Sequence, residues 1–443
     1  MNIELISPAW KDDLWEEKST KSIFPPLSLT AVAAVTPKDI PVKITDESVQ
    51  TVDCDNIDAD LVGISVMTAL APRAYAMADR LRKQGISVVL GGIHPTAVPG
   101  EAKKHADTVV IGEAENTWPR LVEDFRNGTL EPFYSSKERP EMADVPTPRN
   151  DLVNPDNYLI YNSLQTTRGC PYSCSFCAVS RFFGRTYRFR PVEAVIQDVK
   201  MLSGKSGKYV AFVDDNIVGN RRHAKELFRG LMPLGIKWIS QASIDFAEDP
   251  ELVAMAADSG CIGMFIGFES LSEDNLAAVG KSKVNKVEKY EEAIAKLHAK
   301  GISIEGAFVF GLDGDDESVF EKTVDFTIRT RLEAAQFGVL TPFPGTQLYR
   351  RLTEENRIFD PDWSKYSISR VVYHPKKMSP AVLQEGFNWA WKDFYSLKSI
   401  VSRLGLRTNP FIWALNWNIR RRVDSFLERQ QKPGVNVLQH QPT

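Results

Sequence analysis

Three of the chain's five cysteines fall within eight residues, in the stretch Arg168–Cys177 that reads RGCPYSCSFC. Cys170, Cys174 and Cys177 are spaced Cys-x-x-x-Cys-x-x-Cys. Thiolates are the protein ligands of iron–sulfur clusters. Three of them hold three irons of a four-iron cubane and leave the fourth iron without a protein ligand. Such an open metal position is what coordination of a substrate requires, by the logic that separates catalytic from structural zinc sites. Tyr172, Phe176, Phe182 and Phe183 surround the loop and would limit solvent access and tune the potential of a bound cluster. A structural zinc ion would need a fourth Cys or His, and no histidine follows the cysteines before His223. Cys54 and Cys261 stand alone and are read as packing residues. An odd and clustered set argues against a disulfide framework and fits a reducing compartment.

The elements that must position this loop form two alternating series. In the first, Asn2–Ile6, Pro41–Thr45, Asp60–Val66, Ser87–Leu90 and Thr108–Ile111 read as strands. Ala74–Gln84 and Lys103–Ala106 read as helices, the first ended by Gly85. Strand and helix in alternation predict a doubly wound parallel sheet. Ligands of such sheets lie at the carboxyl ends of the strands, which here carry Met67, Thr68, Gly91 to His94, and Gly112 to Glu115.

A polar, proline-bearing stretch, 134–158, reads as a linker or strap. The second series has candidate strands at Ser163–Thr167, Tyr209–Val213, Trp238–Ser243, Met264–Gly267, Ile304–Phe310 and Ala335–Leu340, with helices between them. Six strands with helical crossovers predict a parallel barrel or partial barrel whose chemistry sits at the carboxyl-end loops. After Met378 the pattern is helical. The expected division is 1–130, linker 131–159, barrel 160–377, helical region 378–432 and a disordered tail 433–443.

A chain of 443 residues exceeds one hydrophobic core. A net charge of −3 provides no global field for nucleic acid, and no nucleic-acid partner is expected. No apolar run of about 18 residues suggests a membrane span. The opening MNIELISPAWKDD lacks the pattern of a secretory signal, so a cytoplasmic location is expected. Phe411, Trp413 and Trp417 followed by Arg420–Arg422 are read as packing against the barrel, with peripheral membrane contact left open.

RGCPYSCSFC resembles the signature of the radical S-adenosylmethionine (SAM) superfamily, whose fold is a partial (β/α)6 barrel, over most of residues 160–375. The resemblance implies a 4Fe–4S cluster on Cys170, Cys174 and Cys177, SAM bound to its open iron, and reductive cleavage to a deoxyadenosyl radical. It also implies an external donor of electrons, of ferredoxin or flavodoxin type. Phe176 would pack near the adenine. Asp214, Asp215 and Asn216 (VDDN) end the second strand, where the superfamily binds the methionine amino group. Gln241, Ser243 and Glu269 are expected near the ribose, and Gly306 and Phe310 (GAFVFG) near the adenine.

The first domain resembles the cobalamin-binding domain of cobalamin-dependent radical SAM enzymes. The carrying residues are VGISVMT (Val62–Thr68), VLGGIHPT (Val89–Thr96) and VIGEAENTWP (Val110–Pro119). Cobalamin contacts are expected from Met67, Thr68, Gly91, Gly92, Ile93, His94, Gly112 and Glu113. Many cobalamin domains supply a cobalt ligand from Asp-x-His-x-x-Gly, which is absent here. Cobalt is therefore expected to lack a histidine ligand, with Met67 facing its lower side.

The resemblance implies C-methylation of an unactivated sp3 carbon, using one SAM to load cobalt with a methyl group and another to make the radical. Tyr187, Tyr349 and Tyr366 are candidate cleft residues. The acceptor is expected to be a peptide, a protein side chain such as glutamine, or a small molecule. The alternatives are cyclisation, ring contraction, oxidation or methylation of a hopanoid-like lipid. A non-catalytic iron–sulfur or zinc module is the reading from another class.

Overall fold

The computed structural model describes residues 1–9, 21–405 and 409–430. Its first sheet contains β1 (Ile3–Ser7), β2 (Val42–Asp46), β3 (Leu61–Ser65), β4 (Ser87–Gly91), β5 (Thr108–Ile111) and β6 (Phe133–Ser135). The strands are all parallel and lie in the order β2-β1-β3-β4-β5-β6. Both faces are covered because successive residues of one strand enter different cores. Val88 and Leu90 join Ala74, Met77 and Leu81 of helix Ala71–Lys83 on one side. Val89 joins Leu29 of helix Leu27–Ala34 and Trp118 on the other. Chain order reverses between β1 and β3, and a crevice opens at such a switch point.

Three details differ from the sequence-based expectation. Helices Leu27–Ala34, Ile93–Ala97 and Trp118–Arg126 were not anticipated. Lys103–Ala106 is not helical, because the chain spends its helical turn at Pro99–Ala102, with proline at the first position, and then turns. Phe133–Ser135 lies within the expected linker yet pairs with β5 as the sheet's edge strand, Val109 opposite Phe133. The rest of the strap is tied to both sides. Arg149 N–H donates to the Thr30 carbonyl at 2.9 Å, and Tyr158 Oη donates to Asp46 at 3.1 Å.

The second sheet contains β7 (Asn162–Leu164), β10 (Tyr209–Phe212), β11 (Lys237–Ala242), β12 (Cys261–Glu269), β13 (Ser303–Phe310) and β14 (Ala334–Val339). They pair in parallel in chain order, the partial barrel expected. Between β7 and β10 a short antiparallel pair, β8 (Thr167–Arg168) and β9 (Arg188–Phe189), closes the neck of the cysteine loop. The first barrel strand thus ends at Leu164 rather than Thr167.

The C-terminal region forms helices Pro380–Phe394, Leu397–Leu404 and Pro410–Gln430. Trp391 Nε1 donates to the Phe337 carbonyl of β14 at 3.0 Å. Buried Arg403 donates to the carbonyls of Leu332 and Phe394 and lies 3.7 Å from the Phe394 ring centroid. The last helix packs through Asn416, Val423 and Phe426, whereas Phe411 and Trp417, expected to pack, are about half exposed. No described helix is long and apolar enough to cross a membrane. The expected disordered tail, 433–443, lies outside the described residues.

Candidate active site

The cysteine loop hangs from the β8–β9 neck. Gly169 has φ +89°, and a Cβ there would come within 2.2 Å of the Thr186 carbonyl, so only glycine lets the chain leave β8 into the loop. Cys170 N–H donates to the Gly184 carbonyl at 3.1 Å, and Cys177 N–H to the Cys174 carbonyl at 3.1 Å. The three thiols are partly buried. Burial pushes each of them up, Cys177 to about 11, with the neighbouring thiols adding to the effect on Cys177. Among the described residues no three His, Cys, Asp or Glu side chains converge as one metal ion would need. Cubane ligands each take a different iron and surround a volume, so three loop thiols suit a cluster better than a zinc ion.

Other charged and polar groups lie against this loop. Glu269 sits at φ +65° beside an irregularity in the β12–β13 pairing, and its Oε1 accepts from Lys281 Nζ at 2.8 Å. Burial works against the Lys281 charge, but Glu269 and Cys174 outweigh it and hold its pKa up. Tyr187, a candidate cleft residue, is instead partly buried beside Cys170, its ring end packed over Gly219.

The two adjacent aspartates at the end of β10 have different surroundings. The Asp214 carboxylate is fully buried and accepts from the backbone N–H and the hydroxyl of both Thr166 and Thr167. It pins the turn after β7 and is not presented to a ligand, contrary to expectation. Burial lifts its pKa to about 6 despite those donors. Asp215 faces the cavity described below, and its Oδ2 has no partner. Burial and then the Asp214 charge raise it to about 7, against the pull of Arg168.

Asn216 and Ser243 bond each other, Ser243 N–H to Asn216 Oδ1 at 3.1 Å and Asn216 Nδ2 to Ser243 Oγ at 3.1 Å, tying β10 to β11. Gln241 is exposed on β11 between buried Ser240 and Ala242. Phe176 is partly buried against the barrel core.

Gly306 and Phe310 face the wrong way for adenine. Phe310 packs on Phe320 and Phe337, and a Cβ on Gly306 would meet Leu332 at 2.7 Å, so both point at the helical layer. The inward residues of β13 alternate with these: Glu305, Ala307 and Val309. Side chains of a strand have a period of two, and one residue of offset reverses the face. Burial with no compensating partner lifts the Glu305 carboxyl to about 7.

A cavity of about 1030 Å³ lies between the two sheets. Met67, Thr68, Gly91, Gly92, Ile93, Gly112 and Glu113 line it from the first sheet. Arg168, Phe182, Phe183, Asp215, Gln336 and Tyr366 line it from the barrel side, and Arg422 from the last helix. Met67 is 54% exposed, which for a methionine at a strand end means it projects into this space. Gly92 has φ +101°, and a Cβ there would lie 2.9 Å from Val66 N, so β4 can end against β3 only as glycine. At Gly112, φ +86°, the same Cβ would meet nothing within 4 Å.

His94 does not line the cavity. Its ring is fully buried, 3.1 Å from Tyr75 Oη and edge-on to Trp363, and burial lowers its pKa. Tyr349 packs beside Trp363 and is not in the lining, whereas Tyr366 is. Glu113 reaches the lining, but its carboxylate is taken by Arg168 at 2.7 Å and Arg188 at 2.6 Å. Sequence reasoning missed Arg168, Gln165, Gln336, Phe343, Ser367, Ile368, Arg422 and segment 22–29, all of which line the cavity. Only Arg168 carried a signal, its place beside the cysteines.

Residues 164–327 match the model of the radical SAM superfamily, and 18–122 that of the B12 binding domain. The chain is 32% identical over 425 residues to the bacteriochlorophyllide d C-12(1)-methyltransferase of Chlorobaculum tepidum, covering 94% of this chain and 92% of that one. It is 31% identical over 407 residues to the bacteriochlorophyllide d C-8(2)-methyltransferase of the same organism, covering 88% and 89%. In fold it resembles the radical SAM methyltransferase TsrM from Kitasatospora setae, solved with cobalamin and a 4Fe–4S cluster, with TM-score 0.67 at 17% identity over 97% of this chain and 99% of that one. The chain belongs to the cobalamin-dependent radical SAM methyltransferases, and its cofactors are a 4Fe–4S cluster, SAM and cobalamin.

Proposed function

We propose that this enzyme methylates an sp3 carbon on a side chain of a chlorophyll-class tetrapyrrole. The observation that carries this reading is the likeness, over most of the chain, to two bacteriochlorophyllide d methyltransferases, and the cavity of about 1030 Å³, lined by strand ends of both sheets, is where corrin and acceptor would meet. That volume is at the top of the ~300–1,000 Å³ range of small-molecule sites. Phe182, Phe183, Phe343, Tyr366 and Ile368 offer apolar and aromatic walls, which suit a large flat ring better than a glutamine side chain. The names of both Chlorobaculum relatives point to the same substrate class.

Cys170, Cys174 and Cys177 would hold the cluster, and Asp215 would take the amino group of SAM on its unpartnered oxygen. Asp214 holds the β7–β8 turn so that the loop begins in the right place. The glycine-rich ends of β4 and β5 would admit the corrin, with Met67 as the side chain nearest its lower face. When bound, the cluster and cobalamin supply, respectively, a low-potential electron and a transferable methyl group. With both cofactors and the acceptor bound, the apolar walls from Phe182, Phe183, Phe343 and Ile368 would exclude water from this space, which favours transfer over quenching by solvent.

The test is anaerobic incubation of the reconstituted full chain with a strong reductant, SAM deuterated in its methyl group, and bacteriochlorophyllide d. A singly methylated, deuterium-labelled product, with deoxyadenosine and S-adenosylhomocysteine released beside it, is expected. Deoxyadenosine without a methylated product from this or any other tetrapyrrole would overturn the substrate assignment. Nitrogen-coordinated cobalt in the EPR spectrum would overturn the placement of Met67.

A further inference from the structure

We infer that Glu113 is the strut that holds the cobalamin-side sheet at a set distance from the cysteine loop. The inference rests on the two cofactors sharing the cavity, as proposed above. The cysteine loop, 169–187, is closed by the two-residue pair β8–β9, in which Arg168 stands directly opposite Arg188. Like charges directly opposite across antiparallel strands repel. Both arginines are largely buried, at 8% and 13% side-chain exposure, so water does little to relieve the repulsion.

The relief comes from the other sheet. Glu113, just past the carboxyl end of β5 and 3% exposed, gives Oε2 to Arg168 at 2.7 Å and Oε1 to Arg188 at 2.6 Å. Glu115 takes the other terminal nitrogen of Arg168 at 2.6 Å. Arg188 also donates to the Pro140 and Phe183 carbonyls at 2.7 and 3.1 Å, fastening the loop's far end. Among the described residues the carboxylates within ion-pair distance of Arg168 and Arg188 are Glu113 and Glu115, both just past the end of β5, and Arg139 of the strap also approaches Glu113 Oε1, at 3.7 Å. A bidentate carboxylate between two guanidinium groups is short and directional, so it fixes a position as well as a charge. Glu113 acts through these arginines as a positioning residue. The expected cobalamin contact of Glu113 gives way to this role.

The experiment uses full-length Glu113→Gln, Glu113→Asp and Glu115→Gln beside the wild type. Glutamine keeps the shape and removes the charge, aspartate keeps the charge, and Glu115→Gln disturbs only the outer pair. In the reconstituted enzyme, pulsed EPR between cob(II)alamin and the reduced cluster reads their separation without substrate. A narrow distance distribution is expected for wild type, a broadened or shifted one for Glu113→Gln, and partial recovery for Glu113→Asp. Amide exchange of residues 169–189 in the full chain should quicken in Glu113→Gln while β12 and β13 stay protected.

Misplacement by an ångström can cost about 100-fold in rate, so the ratio of methylated product to deoxyadenosine should fall by about that factor in Glu113→Gln. An unchanged distance distribution with unchanged loop exchange would overturn the inference. So would loss of cobalamin binding with the loop intact, which would return Glu113 to the cofactor. If Glu113→Gln does not fold, the same two readouts on Glu115→Gln decide, with a smaller broadening expected. Failure of the tetrapyrrole assay leaves the distance and exchange measurements standing, so the two readings fail separately.

Discussion

The two sheets meet at one cavity but were built to hold different things. The first changes strand order between β1 and β3 and offers at its carboxyl ends mostly glycine and small polar groups, Ser7, Ser65, Gly91, Gly92 and Gly112, with the Glu113 and Glu115 carboxylates turned to the arginines of the other sheet. The second runs in chain order and offers thiols, carboxylates and arginines. A large ring needs backbone out of its way, which glycine permits. A cluster and a zwitterionic cosubstrate need charges in fixed places, which buried ion pairs and hydrogen bonds provide. The difference predicts that cobalamin binding rests on shape and SAM cleavage on charge, so that mutations should separate the two.

The widest separation is expected from the cysteines. Changing Cys170, Cys174 or Cys177 to Ala should abolish deoxyadenosine formation, measured by chromatography after anaerobic reduction, while cobalamin binding by equilibrium dialysis persists. If both were lost together, the two sheets would not be independent sites.

Next comes the converse. Gly92→Ala places a Cβ 2.9 Å from Val66 N at φ +101°. A residue held in that region costs about 1–3 kcal/mol, so the first sheet should melt earlier and bind cobalamin more weakly. Iron content of the reconstituted protein should stay that of the wild type. Equal loss of iron and cobalamin would contradict the comparison.

A smaller effect is expected at Asp215. Its carboxyl is raised to about 7 by burial, so the fraction charged falls as pH drops through 7 and rises above it. SAM affinity should follow, weakening on the acid side. Asp215→Asn removes one charge-assisted hydrogen bond of about 1.5 kcal/mol, so the Kd for SAM should rise about ten-fold and lose this pH dependence. A variant that kept the same pH profile would remove Asp215 from the SAM site.

The smallest effect is expected at His94, which lies close in sequence to Gly92 but turns away from the cavity. His94→Gln should leave the absorption spectrum of bound cob(II)alamin unchanged. A spectral shift would place its ring near cobalt after all.

Much of this architecture was legible because it is local. The barrel's helices and strands announced themselves by period, and the expected strand Ile304–Phe310 is the core of β13. Its inward face was misjudged, since Gly306 and Phe310 share a parity with Phe308 and all face the helices. An apolar strand covered on both faces carries little alternation from which to tell them apart. Asp214 and Asp215 look equivalent in sequence, and only the donors around Asp214 distinguish them. Phe133–Ser135 was hidden because a three-residue edge strand has too few positions to show a pattern.

What the sequence determined by itself is the cluster loop. Three thiols within eight residues can converge through the geometry of one loop. What only the tertiary structure decided is what that loop is fastened to. Glu113 meets Arg168 across 55 residues and Arg188 across 75. Nothing local predicts such contacts, because each side chain could find another partner until the two sheets bring these together. The cysteines were therefore readable as chemistry, and their position relative to the cobalamin side was not.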